Sequence, residues 1–321
     1  MCNGCVVNAP QVTDMSPTQS KAAAAASATE LAEGRVTEHS VESCGRTITV
    51  RLSYPPGYPE GKAAPLLPWL IYLHAGGFVD GSLEKSQRLA RSLAVTVPAV
   101  VVTPAYSLAP DFPFPAAPED VFHTAEWVLR HARRLKVDKL RFALVGEEAG
   151  GNLAIALSQM LRDRGLPEPR AQWLIRPVTD PCLQHASGAV GQDGRSVPLE
   201  MLQRLAGYYR DYLPTPAASV HPYAAPALAS RLAGLPPTFV QVAEEDALRA
   251  EGEAFVSRLQ TAGVPAQAQI MAGACGAGVE VSHDRCQVWI NEGARYLQGY
   301  FAGDDDASPR TERQTGASPP G

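Results

Sequence analysis

Short apolar runs alternate with longer segments of helical periodicity along most of this chain. The apolar runs predict strands near 46–53, 68–73, 99–104, 139–145, 171–176, 237–243 and 266–271. The periodic segments predict helices near 84–94, 117–133, 149–163, 249–263 and 281–300. Because strands that alternate with helices usually form a mostly parallel sheet with helices on both faces, the pattern predicts an α/β fold.

The alternation is interrupted between residues 180 and 225. The first part of this region is predicted to be a loop, and residues 198–212 then carry apolar side chains at helical spacing, which predicts an inserted helical segment. Residues 1–30 are small and polar, so we expect them to be partly disordered or to join the inserted segment. Residues 303–321 lack apolar content and predict a disordered tail. A single domain over 31–302 remains.

Composition limits the classes of function. A chain of 321 residues with 45% apolar content is long enough for one large core. Its net charge of −5 disfavours a nucleic-acid partner, and no apolar run is long enough to predict a membrane span. The N-terminus lacks the basic start and the long apolar core of a secretory signal. These features predict a cytoplasmic protein with a small-molecule partner, and a homodimer is compatible with them.

The six cysteines are scattered through the chain. Cys2 and Cys5 form a C-x-x-C pair, but no predicted strand follows it and no second pair of metal ligands accompanies it. Reduced thiols are the default in a cytosolic protein. The sequence therefore predicts no metal site and no cofactor.

One turn-forming stretch departs from a known catalytic pattern at its centre. Gly146 and Gly150 flank Glu148, after an apolar strand and before a helix that begins with small residues. With serine in place of Glu148, the stretch would be the G-x-S-x-G turn, whose sharp backbone projects the central side chain over the end of the sheet. A carboxylate can act as a nucleophile or as a base, but it does not perform acyl transfer in the way a serine does.

Three further motifs stand in a fixed order around this turn. His74 to Phe78 reads H-A-G-G-F, residues 106–120 read Y-S-L-A-P-D-F-P-F-P-A-A-P-E-D, and Phe239 to Leu248 reads F-V-Q-V-A-E-E-D-A-L. Together with the turn, these motifs resemble the hormone-sensitive-lipase and plant-carboxylesterase branch of the α/β-hydrolases, over roughly residues 45–302. The resemblance implies an α/β-hydrolase fold with a helical cap at about 180–225, and it implies that Asp246 is the acid of a catalytic triad.

The triad that the resemblance implies is degenerate in this chain. Glu148 stands at the serine position, and Gly276 stands at the histidine position. The nearest histidine, His283, falls where the last helix is expected to begin. We interpret it mainly as a surface residue, with a return of its side chain to the site left open. Only Asp246 remains of a set that works through a chain of hydrogen bonds.

The predicted oxyanion hole consists of the backbone amides of Gly76, Gly77 and Ala149. We expect the carboxylate of Glu148 to accept a hydrogen bond from at least one of them, because amides at a helix N-terminus attract negative charge. Such a contact has two interpretations. The carboxylate either fills the hole and is chemically silent, or it is a base held ready for proton transfer.

Several neighbours complete the predicted site. His74 is expected to brace the oxyanion loop, and Ala75 replaces a glycine, so its Cβ atom would displace the amides if the loop needs a positive φ there. Asp246 is expected in the same cleft as Glu148, where two carboxylates would couple. Because small-molecule pockets are mostly apolar, we also predict aromatic pocket walls at Phe78, Tyr208, Tyr209 and Tyr212.

Three functions are compatible with these residues. The favoured hypothesis is an enzyme that is not a standard serine esterase: a lyase, dehydratase, isomerase or cyclase of secondary metabolism, with Glu148 as general acid or base toward an apolar small molecule. The first alternative is a receptor-like protein that binds a small molecule without turnover. The second is a hydrolase in which Glu148 is the nucleophile or activates water. The missing serine and histidine also predict negligible hydrolysis of activated short-chain esters.

Overall fold

The computed structural model describes residues 34–59, 61, 63–184, 199–272 and 283–302. The predicted N-terminal segment at 1–30, the predicted tail at 303–321 and Gly276 lie outside these ranges. The domain boundaries expected at the two ends therefore stay predictions.

Strands and helices alternate along the described residues. The strands are β1 Val36–Ser43, β2 Arg46–Ser53, β3 Leu67–Leu73, β4 Val100–Pro104, β5 Val137–Glu147, β6 Gln172–Ile175, β7 Thr238–Ala243 and β8 Ala266–Met271. The helices are α1 Leu83–Thr96, α2 Ala116–Leu135, α3 Ala149–Asp163, α4 Leu199–Tyr212, α5 Arg249–Thr261 and α6 His283–Phe301. Two short 3-10 helices lie at Ala218–Val220 and Pro226–Leu228. None of the helices in the described ranges is long and apolar enough to cross a membrane.

The strands form one sheet in the order β1-β2-β4-β3-β5-β6-β7-β8. Strand β2 is antiparallel to both of its neighbours, and every other adjacent pair is parallel. The predicted mostly parallel sheet flanked by helices is therefore confirmed. Ligand sites in such sheets lie at the carboxyl ends of the strands. The segments that follow β3, β5, β6 and β7 meet at that edge. In the same order, these segments carry His74, Glu148, Arg176 and Asp246.

The sequence analysis predicted every strand and α-helix named above except β1, but it did not predict the two 3-10 helices. This strand reads V-T-E-H-S-V-E-S and carries mostly polar side chains. Its composition fits its place, because β1 is the edge strand and pairs only with β2. A half-exposed edge strand lacks the apolar run that identifies a central strand.

Apolar side chains fill both faces of the sheet. On one face, Trp69 stacks on Phe142 with ring centroids 4.5 Å apart, within the core cluster that α2 and α3 cover. On the other face, Trp173 packs against α6, and a Cβ atom on Gly293 would stand only 2.2 Å from the indole ring. Helices packed this closely on the sheet fix the position of the strand ends that carry the candidate site.

Candidate active site

A sharp turn joins β5 to α3 at the carboxyl edge of the sheet. Glu148 is the single residue between the strand, which ends at Glu147, and the helix, which begins at Ala149. Its φ of 52° and ψ of −110° are unusual for a residue with a Cβ atom, and such backbone strain costs on the order of 1–3 kcal/mol. The predicted position of Glu148 at a strand-to-helix turn is confirmed.

Two glycines allow the turn to pack against its surroundings. A Cβ atom on Gly146 would stand 2.2 Å from the carbonyl oxygen of Gly150. A Cβ atom on Gly150 would stand 2.1 Å from the carbonyl oxygen of Leu73. Both distances are far below van der Waals contact, so the glycine spacing is a packing requirement of the turn, whatever residue stands at its centre.

The Glu148 carboxylate accepts two hydrogen bonds from the loop after β3. The amide nitrogens of Gly76 and Gly77 lie 2.9 and 3.2 Å from its Oε2 atom. The contact expected between Glu148 and the glycine amides is therefore present. Ala149, the third predicted donor, does not donate to Glu148 among the described hydrogen bonds. The Glu148 side chain reaches across to the opposite loop, away from the amide of the residue that follows it.

The loop after β3 presents its amides through two glycines with positive φ. Gly76 has a φ of 134° and Gly77 a φ of 59°, and a Cβ atom on Gly76 would stand 1.9 Å from the carbonyl oxygen of Asp80. Ala75 is not among the described residues with positive φ. The alanine therefore occupies a position that tolerates a Cβ atom, and both glycine amides still reach Glu148.

His74 contacts this loop from inside the protein. Its ring is buried and stacks on Tyr106, with ring centroids 4.2 Å apart. Its Nδ1 atom lies 2.8 Å from the carbonyl oxygen of Ala75, and the Tyr106 hydroxyl donates to the His74 carbonyl oxygen at 2.8 Å. Burial lowers the pKa of His74 below its ordinary value, so the ring is neutral near pH 7. These contacts agree with the prediction that His74 supports the oxyanion loop after β3.

Helix α4 lies across the oxyanion loop. The Tyr208 ring packs so closely on Gly77 that a Cβ atom there would stand 2.1 Å from it. Tyr212 stacks on Phe78 with ring centroids 3.8 Å apart, and the Tyr209 ring is buried 5.8 Å from the Phe78 ring, centroid to centroid. Of the four predicted pocket walls, Tyr208 covers the loop, whereas Phe78, Tyr209 and Tyr212 are packed into the core.

Asp246 is bound by a cation that the sequence analysis did not consider. Arg176 Nε donates to Asp246 Oδ2, and the two side chains are only 11% and 2% exposed. The amide of Leu248 donates to the other carboxylate oxygen at 2.9 Å. Burial acts to lower the pKa of Arg176, but the charge and the hydrogen bond of Asp246, together with the charges of Glu147 and Glu148, outweigh it, and the pKa is raised. The acid is thus neutralised inside the protein by a guanidinium.

Arg176 also interacts electrostatically with both glutamates of the turn. After Asp246, the charges of Glu147 and Glu148 contribute to its raised pKa. The carboxylates therefore share a neighbouring cation, which offsets the mutual repulsion expected from the sequence. The signal that could have identified Arg176 is its place directly after the apolar strand β6, at the edge where the site residues meet.

A second buried carboxylate fixes the segment after β6. Glu251 Oε1 accepts hydrogen bonds from the amide and hydroxyl of Thr179 and from the amide of Asp180. Val178, in the same segment, donates to the carbonyl oxygen of Glu148 at 3.2 Å. Burial raises the pKa of Glu251 to about 7, although its hydrogen bonds oppose the shift. No motif marks Glu251, since an acid in the first turn of a helix is ordinary.

The segment after β8 carries two of the predicted positions. Gly276 lies outside the described residues. His283 is the first residue of α6, but its side chain is outside them as well. The assignment of the missing histidine to Gly276 and the role of His283 therefore stay predictions.

Several known proteins are similar to this chain in sequence over most of its length. A family model described as an alpha/beta hydrolase fold matches residues 70–276. The chain is 35% identical over 241 residues to the ethyl acetate hydrolase of Pseudomonas putida, which covers 75% of this chain and 72% of that protein. It is 33% identical over 235 residues to the carboxylesterase NlhH of Mycobacterium tuberculosis, which covers 73% and 72%.

Solved structures give the same result. A hyperthermophilic esterase from the archaeon Pyrobaculum calidifontis aligns with a TM-score of 0.71 and 31% identity, over 88% of this chain and 92% of that chain. A thermostable esterase from Pseudomonas putida aligns with a TM-score of 0.74 and 29% identity, over 89% and 91%.

These relatives correct the favoured hypothesis. A lyase, dehydratase, isomerase or cyclase is contradicted, because relatives at 33–35% identity over most of the chain are named esterases and carboxylesterases. They favour a hydrolase over a binding protein without turnover, and they do not test the predicted lack of ester hydrolysis by this chain itself. The turn and the two glycine amides persist in this chain, although Glu148 stands at the serine position of the motif. The chain belongs to the α/β-hydrolase fold family, in its hormone-sensitive-lipase and carboxylesterase-like branch.

Proposed function

We propose that this protein hydrolyses short carboxylic esters and that Glu148 is the general base for the attacking water. The ester class is supported by the relatives, one of which is by name an ethyl acetate hydrolase. The role of Glu148 is supported by its place at the turn, where this family's motif has serine. A base is favoured over a nucleophile because water activation needs only hydrogen-bond reach, whereas attack by a carboxylate on an ester produces a reactive anhydride.

The observation that carries the proposal is the pair of amides on one carboxylate oxygen. Gly76 and Gly77 donate to Glu148 Oε2 at 2.9 and 3.2 Å. Two amides that converge on an anionic oxygen have the geometry needed for the oxygen of a tetrahedral intermediate. An ester carbonyl oxygen that enters this position displaces Glu148 Oε2. The carboxylate then stays beside the carbonyl carbon with its oxygen atoms free to accept a proton from water.

The reaction balances with this one acid–base group. Glu148 takes a proton from water while the water oxygen bonds to the ester carbonyl carbon, and the carbonyl oxygen becomes an anion held by the Gly76 and Gly77 amides. The intermediate collapses when the bond to the alkoxy oxygen breaks, and Glu148 returns its proton to that oxygen. The products are an acid and an alcohol, and Glu148 is again a carboxylate.

Arg176 and Asp246 act as positioning residues in this scheme. Arg176 interacts electrostatically with Glu148 and is bound through Nε to Asp246. When the ester displaces Glu148 from the amides, Arg176 supplies a nearby positive charge that compensates the carboxylate. Asp246 keeps the guanidinium in place and has no contact with the substrate.

The contact between Tyr208 and Gly77 favours a short acyl group. A ring that lies against the amide-bearing glycine leaves little room directly above the oxyanion loop. Acetate and propionate esters fit such a space better than long-chain esters do. The preference for short acyl chains is therefore a separate part of the proposal.

Nitrophenyl esters with acyl chains of increasing length test the proposal. We expect the purified protein to hydrolyse the acetate faster than the octanoate. Glu148→Gln keeps the shape of the side chain but cannot accept the proton, so kcat should fall by at least about 10²-fold. Glu245→Gln is the matched control, because Glu245 is exposed and lies beside Asp246 without a part in the scheme.

Two results would contradict the proposal. The first is equal hydrolysis by the unmodified protein and the Glu148→Gln protein prepared in the same way. The second is a Glu148→Ser protein more active than the unmodified one, since that would mean that a serine at this turn finds a base elsewhere.

A further inference from the structure

Three side chains with metal-binding atoms converge at the end of the β1–β2 hairpin. Cys44 Sγ, a carboxylate oxygen of Glu119 and a ring nitrogen of His123 all lie within 4.8 Å of one another. Cys44 is exposed in the hairpin turn, and the other two are half-buried on one face of α2, four residues apart. Positions four apart are neighbours on a helix surface, so two ligands come from one helix and the third from the hairpin.

The hydrogen bonds around His123 prepare its ring for a metal ion. Ser43 donates to Asp120 Oδ1 at 2.5 Å, and Arg46 donates to the same carboxylate oxygen at 2.7 Å. Because the single hydroxyl hydrogen of Ser43 is used in this way, its oxygen can only accept from His123 Nδ1, 3.2 Å away. In the neutral ring Nδ1 therefore carries the hydrogen, which leaves Nε2 as the nitrogen with a lone pair for a metal ion. Metal-binding histidines are commonly oriented by such a partner on their other nitrogen.

We propose that Cys44, Glu119 and His123 form a zinc site that is separate from the esterase centre. Thiolate, imidazole and carboxylate are the ligands that zinc prefers, and the fourth position is open to water. In a tetrahedral site the ligand atoms stand about 3.5 Å apart, so the three atoms, which lie within 4.8 Å of one another, must approach by at most about 1.3 Å. Cys44 is exposed in a turn and can rotate to achieve this. The ion would tie the β1–β2 hairpin to α2.

Arg164 acts against the metal ion at this site. Its guanidinium binds both carboxylate oxygens of Glu119, at 2.6 and 3.0 Å, and lies 4.0 Å above the ring of Phe122. A zinc ion can bind Glu119 only if the carboxylate gives up part of its contact with Arg164. We therefore expect the site to fill at micromolar rather than trace zinc, and we expect Arg164→Gln to bind the ion more tightly than the unmodified protein.

Cobalt serves as the spectroscopic probe, because Co²⁺ bound to a thiolate has a charge-transfer absorption that reports the sulfur ligand. The reduced full-length protein is titrated with Co²⁺ in a Cys2→Ser/Cys5→Ser background, which removes the C-x-x-C pair. We expect one Co²⁺ per chain, displacement by Zn²⁺ and a rise in Tm of about 5 °C when zinc is present at 100 times its Kd. The positioning role of Ser43 predicts that Ser43→Ala weakens binding by about 10–100-fold.

Cys44→Ser and Cys182→Ser form the decisive pair. Cys182 is also exposed, but it belongs to no group of three metal-binding side chains within the described residues. Loss of the charge-transfer band in the first variant and its retention in the second would support the site. A band that survives Cys44→Ser, or no band in the parent protein, would overturn it. An Arg164→Gln protein that binds Co²⁺ no more tightly would contradict the assignment of Glu119 as a ligand.

Discussion

Arg176 donates through Nε to Asp246 Oδ2, and both side chains are almost completely withdrawn from solvent. The family resemblance implies that the acid of the triad binds a histidine in a serine esterase. In this protein the corresponding residue, Asp246, binds the permanently charged Arg176 instead. Because a guanidinium does not exchange its proton near pH 7, this pair cannot relay protons. The pair instead fixes the position of the Arg176 charge, which interacts electrostatically with Glu148.

Replacement of Arg176 should therefore be costly for stability. Arg176→Met leaves Asp246 buried without a counter-charge, and the free energy of unfolding should fall by about 3–5 kcal/mol. Urea unfolding followed by circular dichroism measures the change. Arg249→Met is the matched control, because its ion pair with Glu253 is partly exposed and should contribute less than about 1 kcal/mol. Similar losses in the two proteins would contradict the structural role given to Arg176.

Gly77 and Tyr208 should behave as a coupled pair. Gly77→Ala places a Cβ atom against the Tyr208 ring, and it puts a residue with a side chain at a positive φ of 59°. We therefore expect the free energy of unfolding to fall by about 2–4 kcal/mol. Adding Tyr208→Ala removes the clash, and the double variant should regain at least about 1 kcal/mol relative to additive effects.

Gly45→Ala separates the backbone effect from the clash. Gly45 has a φ of 78° but nothing within 4 Å of the position of a Cβ atom. Its replacement should cost only the backbone strain, about 1 kcal/mol. Additive effects of Gly77→Ala and Tyr208→Ala would mean that α4 does not press on the oxyanion loop in solution.

The buried Glu251 should make stability depend on pH. Burial raises its pKa in the folded protein to about 7, from an ordinary value of 4.5, so the folded state binds the proton more tightly than the unfolded state. The stability from this group is fully present below pH 4.5 and is lost as the pH rises through about 7. The loss amounts to on the order of 3 kcal/mol.

Glu251→Gln should remove this part of the pH dependence. Urea unfolding at about pH 5 and pH 8 should show a smaller difference in the variant than in the unmodified protein. Glu253→Gln, in the same helix but partly exposed, should leave the difference unchanged. A pH dependence that survives Glu251→Gln would assign it to another group.

The choice between base and nucleophile for Glu148 has a kinetic test. With Glu148 as base, no acyl group is ever bonded to the protein. Rapid mixing with nitrophenyl acetate should then show no burst of nitrophenolate before the steady state, and acid-quenched protein should have an unchanged mass. A burst approaching one equivalent, with an acetyl adduct on the peptide that contains Glu148, would establish the nucleophile instead.

The fold could be predicted because its signals are local. Apolar runs as long as Trp69 to Leu73 identify central strands, and the glycines around Glu148 are required by backbone contacts that any turn of this shape must make. Strand β1 escaped detection because an edge strand has no need of apolar side chains on both faces. The position of Glu148 followed from the same local reasoning, whereas its contacts with Gly76 and Gly77, which lie 72 and 71 residues away, were predicted from the family resemblance.

The remaining parts of the site depend on contacts between distant segments. Arg176 meets Asp246 across 70 residues, and Glu251 meets Thr179 across 72. Neither pair has a sequence motif, since an arginine after a strand and a glutamate in a first helical turn are both ordinary. Tyr212 was predicted to line a pocket, but aromatic side chains at helical spacing do not reveal whether they face a cavity or, as here, stack on Phe78.

The carboxylate of Glu148 in the oxyanion hole is chemically the same group as the acid that ester hydrolysis releases. The Glu148 carboxylate is therefore a permanent competitor of the product acid for the amides of Gly76 and Gly77. A tethered group has an effective concentration in the millimolar range or above, so free acetate must exceed that range to remain bound at the glycine amides. Under the proposed reaction, product inhibition by short carboxylates should consequently be weak, because the return of Glu148 to the amides would expel each acid as it forms.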